Sequence, residues 1–161
     1  LAVGIPNGIL GVDALLSLAR STDLDGEPAI RNGAVREKIA NFHVESEGLK
    51  YTRYRMWTAL SRGETPGPQS SINKVVSAKQ MQDLASFAME LMGEAGLMTN
   101  GIPGAGAFQQ QWLGAPAFRI AGGTDEIMRN IIAERVLGLP QDVRVDKDTT
   151  FRELEAARQK T

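Results

Sequence analysis

At 161 residues the chain has the length of one domain, and 42% hydrophobic with 23% charged residues excludes a disordered polypeptide. Eighteen Lys and Arg against nineteen Asp and Glu leave a formal charge of −1, so there is no basic excess to hold a nucleic-acid partner. The absence of cysteine excludes disulfides, thiol nucleophiles and Cys-ligated metals and fits a reducing, cytoplasmic compartment; with His43 as the single histidine, no metal site is expected.

Residues 1–12 carry no charge, yet the stretch is too short to span a bilayer, is broken by Pro6 and three glycines, and lacks the basic start of a secretion signal. No membrane partner is expected. The chain begins with Leu1 in mid-pattern, so it reads as part of a longer protein. A first helix is predicted over about residues 5–19, with Ile9, Val12, Leu15, Leu16 and Ala19 on one stripe. Turn formers between Ser21 and Pro28 break it.

A second, longer helix is predicted over Gly33–Ser61, where Val35, Ile39, Phe42, Leu49, Met56 and Leu60 recur at helical spacing and Ser46 and Arg53 interrupt the stripe. Gly63, Pro66, Gly67 and Pro68 stop it. The third runs over Ser70–Met92, with Ile72, Val75, Val76, Leu84, Phe87, Ala88 and Leu91 expected inward. Glycine-rich residues 99–106 read as a loop, and a last helical region covers about residues 112–137, interrupted at Gly122-Gly123. No period-two strand run stands out. Four amphipathic segments joined by short polar turns predict an all-α fold, an antiparallel (up-and-down) four-helix bundle over residues 1–140, with a polar tail over residues 141–161. Residues 1–18 are too apolar for one exposed helix, so an oligomer is expected.

The most informative stretch begins at Gly122-Gly123-Thr124-Asp125-Glu126. Thr124 is a good N-cap, and Asp125 and Glu126 sit at the positive end of the following helix dipole. Two glycines ahead of the cap let the backbone approach another group closely, with N–H groups turned outward, which suits an oxygen-bearing ligand. A plain helix start after a flexible turn is the other reading. His43 reads as a boundary or surface residue, and Trp57 and Trp112 read as packing anchors.

The run from Gly122 through Ile127-Met128-Arg129-Asn130-Ile131-Ile132-Ala133-Glu134-Arg135-Val136-Leu137-Gly138-Leu139-Pro140 closely resembles the C-terminal signature of acyl-CoA dehydrogenases. Residues 74–96, with Leu91-Met92-Gly93, are similar to that family's penultimate long helix, and residues 1–22 to the helix that opens its C-terminal domain. The resemblance implies an FAD enzyme of three domains, of which this chain covers the last, a four-helix bundle assembled into homo- or hetero-oligomeric tetramers or dimers. It implies α,β-dehydrogenation of an acyl-CoA thioester, in which a carboxylate takes the α-proton and electrons pass on to an acceptor such as electron-transfer flavoprotein.

Many family members place the catalytic glutamate directly before the Gly-Thr of the signature, where this chain has Gly122. The resemblance therefore puts the base upstream of Leu1, with no catalytic side chain in this chain, or else makes the protein a non-catalytic subunit of a hetero-oligomeric dehydrogenase. A flavin-free helical interaction module is a third reading. The family's substrate contact is a main-chain N–H, which Gly122 still offers to the thioester carbonyl. For FAD the resemblance points to Arg20 and Thr22, with Asp23 where the family has Phe; to Glu90 and Gly93; and to Thr124 and Glu126. Arg20 reads equally as a cation at a helix C-terminus.

Overall fold

The computed structural model describes residues 9–65, 67–68, 70–98, 104–141 and 149–158. Its helices are α1 (Val12–Ser21), α2 (Gly33–Ser61), α3 (Ser70–Met92), α4 (Glu94–Leu97), α5 (Ala105–Ile120), α6 (Asp125–Arg135) and α7 (Phe151–Arg158). The fold is all-α, and α3 is its hub, packed against α1, α2, α5 and α6.

The first helix starts later than its apolar pattern suggests. Gly11 is its N-cap, and residues 5–8 of the expected span lie outside the described residues. It continues to Ser21 because the Ser21 hydroxyl donates back to the Ser17 and Leu18 carbonyls, and extended Thr22 then ends it. A two-residue ladder follows, Asp23–Leu24 (β1) against Glu27–Pro28 (β2), closed by Asp25 and Gly26 at positive φ. It is too short to show as an alternating pattern. The Asp23 carboxylate accepts the Gly26 N–H at 3.0 Å, so it is committed to this turn.

Asn32 starts α2 by accepting the Ala34 and Val35 N–H groups, and both α2 and α3 keep the bounds expected of them. Their inward faces differ from expectation. Val35, Ile39 and Phe42 are buried, but Leu49 and Met56 are only half-buried and Leu60 is exposed. On α3, Leu84 and Ala88 are buried as expected, whereas Ile72, Val75, Val76, Phe87 and Leu91 are half-buried. Ala78, Met81, Ala85 and Met92 are buried on α3 as well. The main core joins Leu15 and Leu18 of α1 to Val35, Ile39 and Phe42 of α2, Leu84, Ala88 and Met92 of α3, and Ala105 and Phe108 of α5.

Residues 104–106 correct the loop expected over 99–106: α5 begins at Ala105, after left-handed Gly104, seven residues before the expected Trp112. Glycine density hid a helical face made by Ala105, Phe108, Gln111 and Ala115. Residues 99–103 lie outside the described residues. The α6 helix stops at Arg135, two residues before the expected end, and Gly138 follows at φ 68°. Within the expected tail, Thr150 and Glu153 form a reciprocal cap that starts α7. Trp57 and Trp112 are exposed rather than packed, and the Trp57 ring lies 5.6 Å from that of Tyr54.

Candidate functional site

The α5–α6 junction is built by two glycine torsions and a cap. Gly122 and Gly123 lie at φ 68° and 107°, the left-handed side open to glycine. Among the described residues neither of their N–H groups has a hydrogen-bond acceptor. Thr124 accepts the Ile127 N–H at 3.3 Å and starts α6. A Cβ at Gly122 would meet no atom within 4 Å, so the space around this residue is open.

Beneath the turn lies a charge cluster. Asp125, the first residue of α6, is only 3% exposed. Its Oδ2 accepts from Arg119 Nε at 2.6 Å, and its Oδ1 lies 3.6 Å from the Lys74 ammonium. Arg119 also donates to Gln82 at 3.1 Å. Lys74 Nζ donates to the carbonyls of Gly123 at 2.6 Å and Arg119 at 3.2 Å. The Arg119 hydrogen bond, opposed by burial and helped by the Arg119 and Lys74 charges, holds the Asp125 carboxyl below its ordinary value. Glu126 is exposed, and its own backbone N–H and the Thr124 hydroxyl hold it low as well. Both carboxylates are therefore weak bases, as the helix start suggests, though for Asp125 the main cause is Arg119 rather than the dipole.

The remaining residues singled out for flavin stand elsewhere. Arg20 is exposed in the last turn of α1 with no carboxylate partner among the described residues. Thr22 is buried: its N–H bonds Leu18, its carbonyl accepts from Ala29, and its Oγ1 has no partner. Glu90 and Gly93 are exposed at the end of α3, Gly93 at φ 55°. The core that links Leu15 and Leu18 to Met92 and Ala105 directs the end of α1 toward the end of α3. Lys74 and Glu90 are separated by roughly 24 Å of α3 at 1.5 Å per residue. The structure thus brings Gly122, Thr124 and Glu126 together and leaves Arg20, Thr22, Glu90 and Gly93 as a second group at the far end.

Sequence patterning did not single out Lys74, Arg119 or Gln82. The one available signal was Asp125, a carboxylate ahead of an apolar turn that needs partners once buried. Ser46 and Arg53, the polar interruptions of the α2 stripe, line a groove of about 490 Å³ that also touches Asn73, Phe118 and Ala121, the residue before Gly122.

Residues 9–137 match the family model described as the acyl-CoA dehydrogenase C-terminal domain. Over 131 residues the chain is 36% identical to acyl-CoA dehydrogenase IpdE1 of Mycolicibacterium smegmatis, covering 81% of this chain and 30% of the relative. A 37% match over 79 residues to acyl-CoA dehydrogenase FadE34 of Mycobacterium tuberculosis covers 49% of this chain and 10% of that protein. The fold is similar to the ChsE4-ChsE5 complex from Mycobacterium tuberculosis, with a TM-score of 0.69 and 25% identity over 81% of this chain and 35% of that one. The chain belongs to the acyl-CoA dehydrogenase family, as a C-terminal domain. It spans about 30% of the length of the first curated relative it matches.

Proposed function

We propose that this chain is the C-terminal bundle domain of an FAD-dependent acyl-CoA dehydrogenase, with α1, α2, α3 and α5 as an up-and-down bundle over residues 1–140 and residues 141–161 as its tail. The observation that carries the reading is the Gly122-Gly123-Thr124 turn: two amides with no acceptor among the described residues, at the positive end of α6, on a chain of this family. The Gly122 N–H donates to the thioester carbonyl of an acyl-CoA and stabilises the negative charge that develops there when the α-proton leaves. No side chain at Gly122 can take that proton, and Asp125 and Glu126 are held in weakly basic form. The base is assigned to the segment that precedes Leu1 in the intact protein.

Bound FAD would supply the hydride acceptor. Thr124 and Glu126, whose carboxylate accepts from the Thr124 hydroxyl, stand beside the substrate amide. Arg20 and the buried Thr22 hydroxyl, neither with a side-chain partner among the described residues, offer cationic and hydrogen-bonding contacts to a dinucleotide. Exposed Glu90 beside Gly93 opposes an anion, so the α3 end fits less well. The separation of the two groups along α3 supports a site shared between copies of the domain, hence a homo- or hetero-oligomeric dimer or tetramer. A cytoplasmic location, with electron-transfer flavoprotein or a similar protein as acceptor, completes the reading; no helix among the described residues is long and apolar enough to cross a membrane.

The bare Gly122 favours a second reading, a non-catalytic subunit of a hetero-oligomeric dehydrogenase. Mixing the intact protein with acyl-CoA thioesters and following 2-enoyl-CoA and flavin reduction tests both. Turnover by the protein alone supports the first; turnover only after a second subunit is added supports the second; retention of no flavin in either state contradicts both.

A further inference from the structure

The cation beneath the glycine turn has a geometry that simple helix capping does not require. We propose that Lys74 is the positioning residue for the Gly122 amide, holding the turn in the orientation that presents this N–H to the thioester carbonyl; the inference rests on the reading of Gly122 given above.

Lys74 stands on α3, outside the junction it controls. Its ammonium carries three donor positions and faces three acceptors: the Gly123 carbonyl at 2.6 Å, the Arg119 carbonyl at 3.2 Å and Asp125 Oδ1 at 3.6 Å. These belong to the turn, the end of α5 and the first residue of α6. The two carbonyls bracket Gly122 in the chain, one before it and one after. A residue that merely capped α5 would need the Arg119 carbonyl alone, yet the shorter bond goes to Gly123, in the turn itself. Asp125 has its own hydrogen-bonded cation in Arg119, so Lys74 is not required to neutralise it.

Two successive glycines at positive φ give the most freely rotating backbone available, and a donor aimed at developing charge works only if it is oriented beforehand. Holding the Arg119 and Gly123 carbonyls, three residues before Gly122 and one after it, restricts that freedom. The tether also brings a half-buried positive charge, 23% exposed, close to the place where enolate charge develops.

The test compares, in the intact flavin-loaded protein, the affinities for octanoyl-CoA and hexadecanoyl-CoA with those for S-octyl-CoA and S-hexadecyl-CoA, thioethers that lack the carbonyl. Wild-type protein is expected to prefer the thioester. Lys74→Met, which keeps the stem and removes every donor, is expected to weaken thioester binding about tenfold while thioether binding stays within about twofold. Lys74→Arg, which restores charge and donors, should recover most of the loss. Equal weakening of thioester and thioether reduces Lys74 to packing, and unchanged thioester binding removes it from the site; either result overturns the proposal. Wild-type protein that binds both kinds of ligand equally overturns the reading of Gly122 itself, and the role of Lys74 with it. Should Lys74→Met fail to fold, Lys74→Leu, which likewise has no donor, carries the same comparison.

Discussion

Replacing Asp125 by Ala removes the anion on which the α5–α6 junction converges. The side chain is buried, with a hydrogen bond to Arg119 at 2.6 Å and the Lys74 ammonium at 3.6 Å. A hydrogen bond to a charged group contributes about 1.5–3 kcal/mol, and breaking a fully buried pair by removing one partner costs about 3–5 kcal/mol. The Arg119 and Lys74 side chains are 39% and 23% exposed, so water takes over part of the carboxylate's role. The expected loss is therefore about 2–3 kcal/mol for Asp125→Ala, and about 1–2 kcal/mol for Asp125→Asn, which keeps an oxygen for Arg119. The pH dependence has a definite sign. The native carboxyl titrates below its ordinary value, so its contribution is complete above the ordinary aspartate range and is lost as pH falls through the lowered native value. The gap between wild type and Asp125→Ala should narrow in acid. Urea unfolding of the purified chain at neutral and acidic pH, with unchanged m-values, measures this. A loss under about 0.5 kcal/mol at neutral pH, or a gap that widens in acid, refutes the assignment of Asp125 as a buried, paired anion.

Gln111 clamps Leu10 by accepting its N–H at 2.7 Å and donating to its carbonyl at 3.2 Å, and it also donates to the Met81 carbonyl; Gln111→Ala should cost about 2 kcal/mol and speed amide exchange at Leu10. Thr124→Ala should cost about 1 kcal/mol through loss of the α6 cap, read by thermal unfolding. Gly122→Ala has space for its Cβ but an unfavourable φ, worth about 1 kcal/mol, whereas Gly123→Ala should cost more because φ 107° lies farther from any conformation an L residue adopts, and the Met128 methyl must also move aside. The purified 161-residue chain alone is expected to retain no stoichiometric flavin and to turn over no acyl-CoA, as absorbance spectroscopy and product analysis would show.

Where local signals were strong, sequence and structure agree. The bounds of α2 and α3 follow from the Asn32 cap, the Gly/Pro breaks around residue 65 and sustained helical spacing. Thr124 was legible as a cap for the same reason, because capping is decided within one turn. Burial was less legible. Large apolar residues were expected to mark the inward face of α3, but this helix packs against four others and buries Ala78, Ala85 and Ala88 while Ile72, Val75 and Val76 stay half-buried. The start of α5 was hidden by glycines whose effect on helix propensity was outweighed by packing of Ala105 and Phe108. Lys74 and Arg119 were invisible as site residues because their partners lie on other elements, and nothing local marks a lysine on α3 as bound to a carbonyl 49 positions away.

The Gly122 amide, a backbone donor at a position with no side chain, is proposed to polarise the thioester. Infrared difference spectroscopy of an acyl-CoA labelled with ¹³C at the thioester carbonyl, bound to the intact protein, observes that bond directly. Polarisation by Gly122 should shift the carbonyl stretch to lower frequency than in water, and the shift should diminish in Lys74→Met. A bound carbonyl at its aqueous frequency or above, in wild-type protein with ligand fully bound, would contradict it.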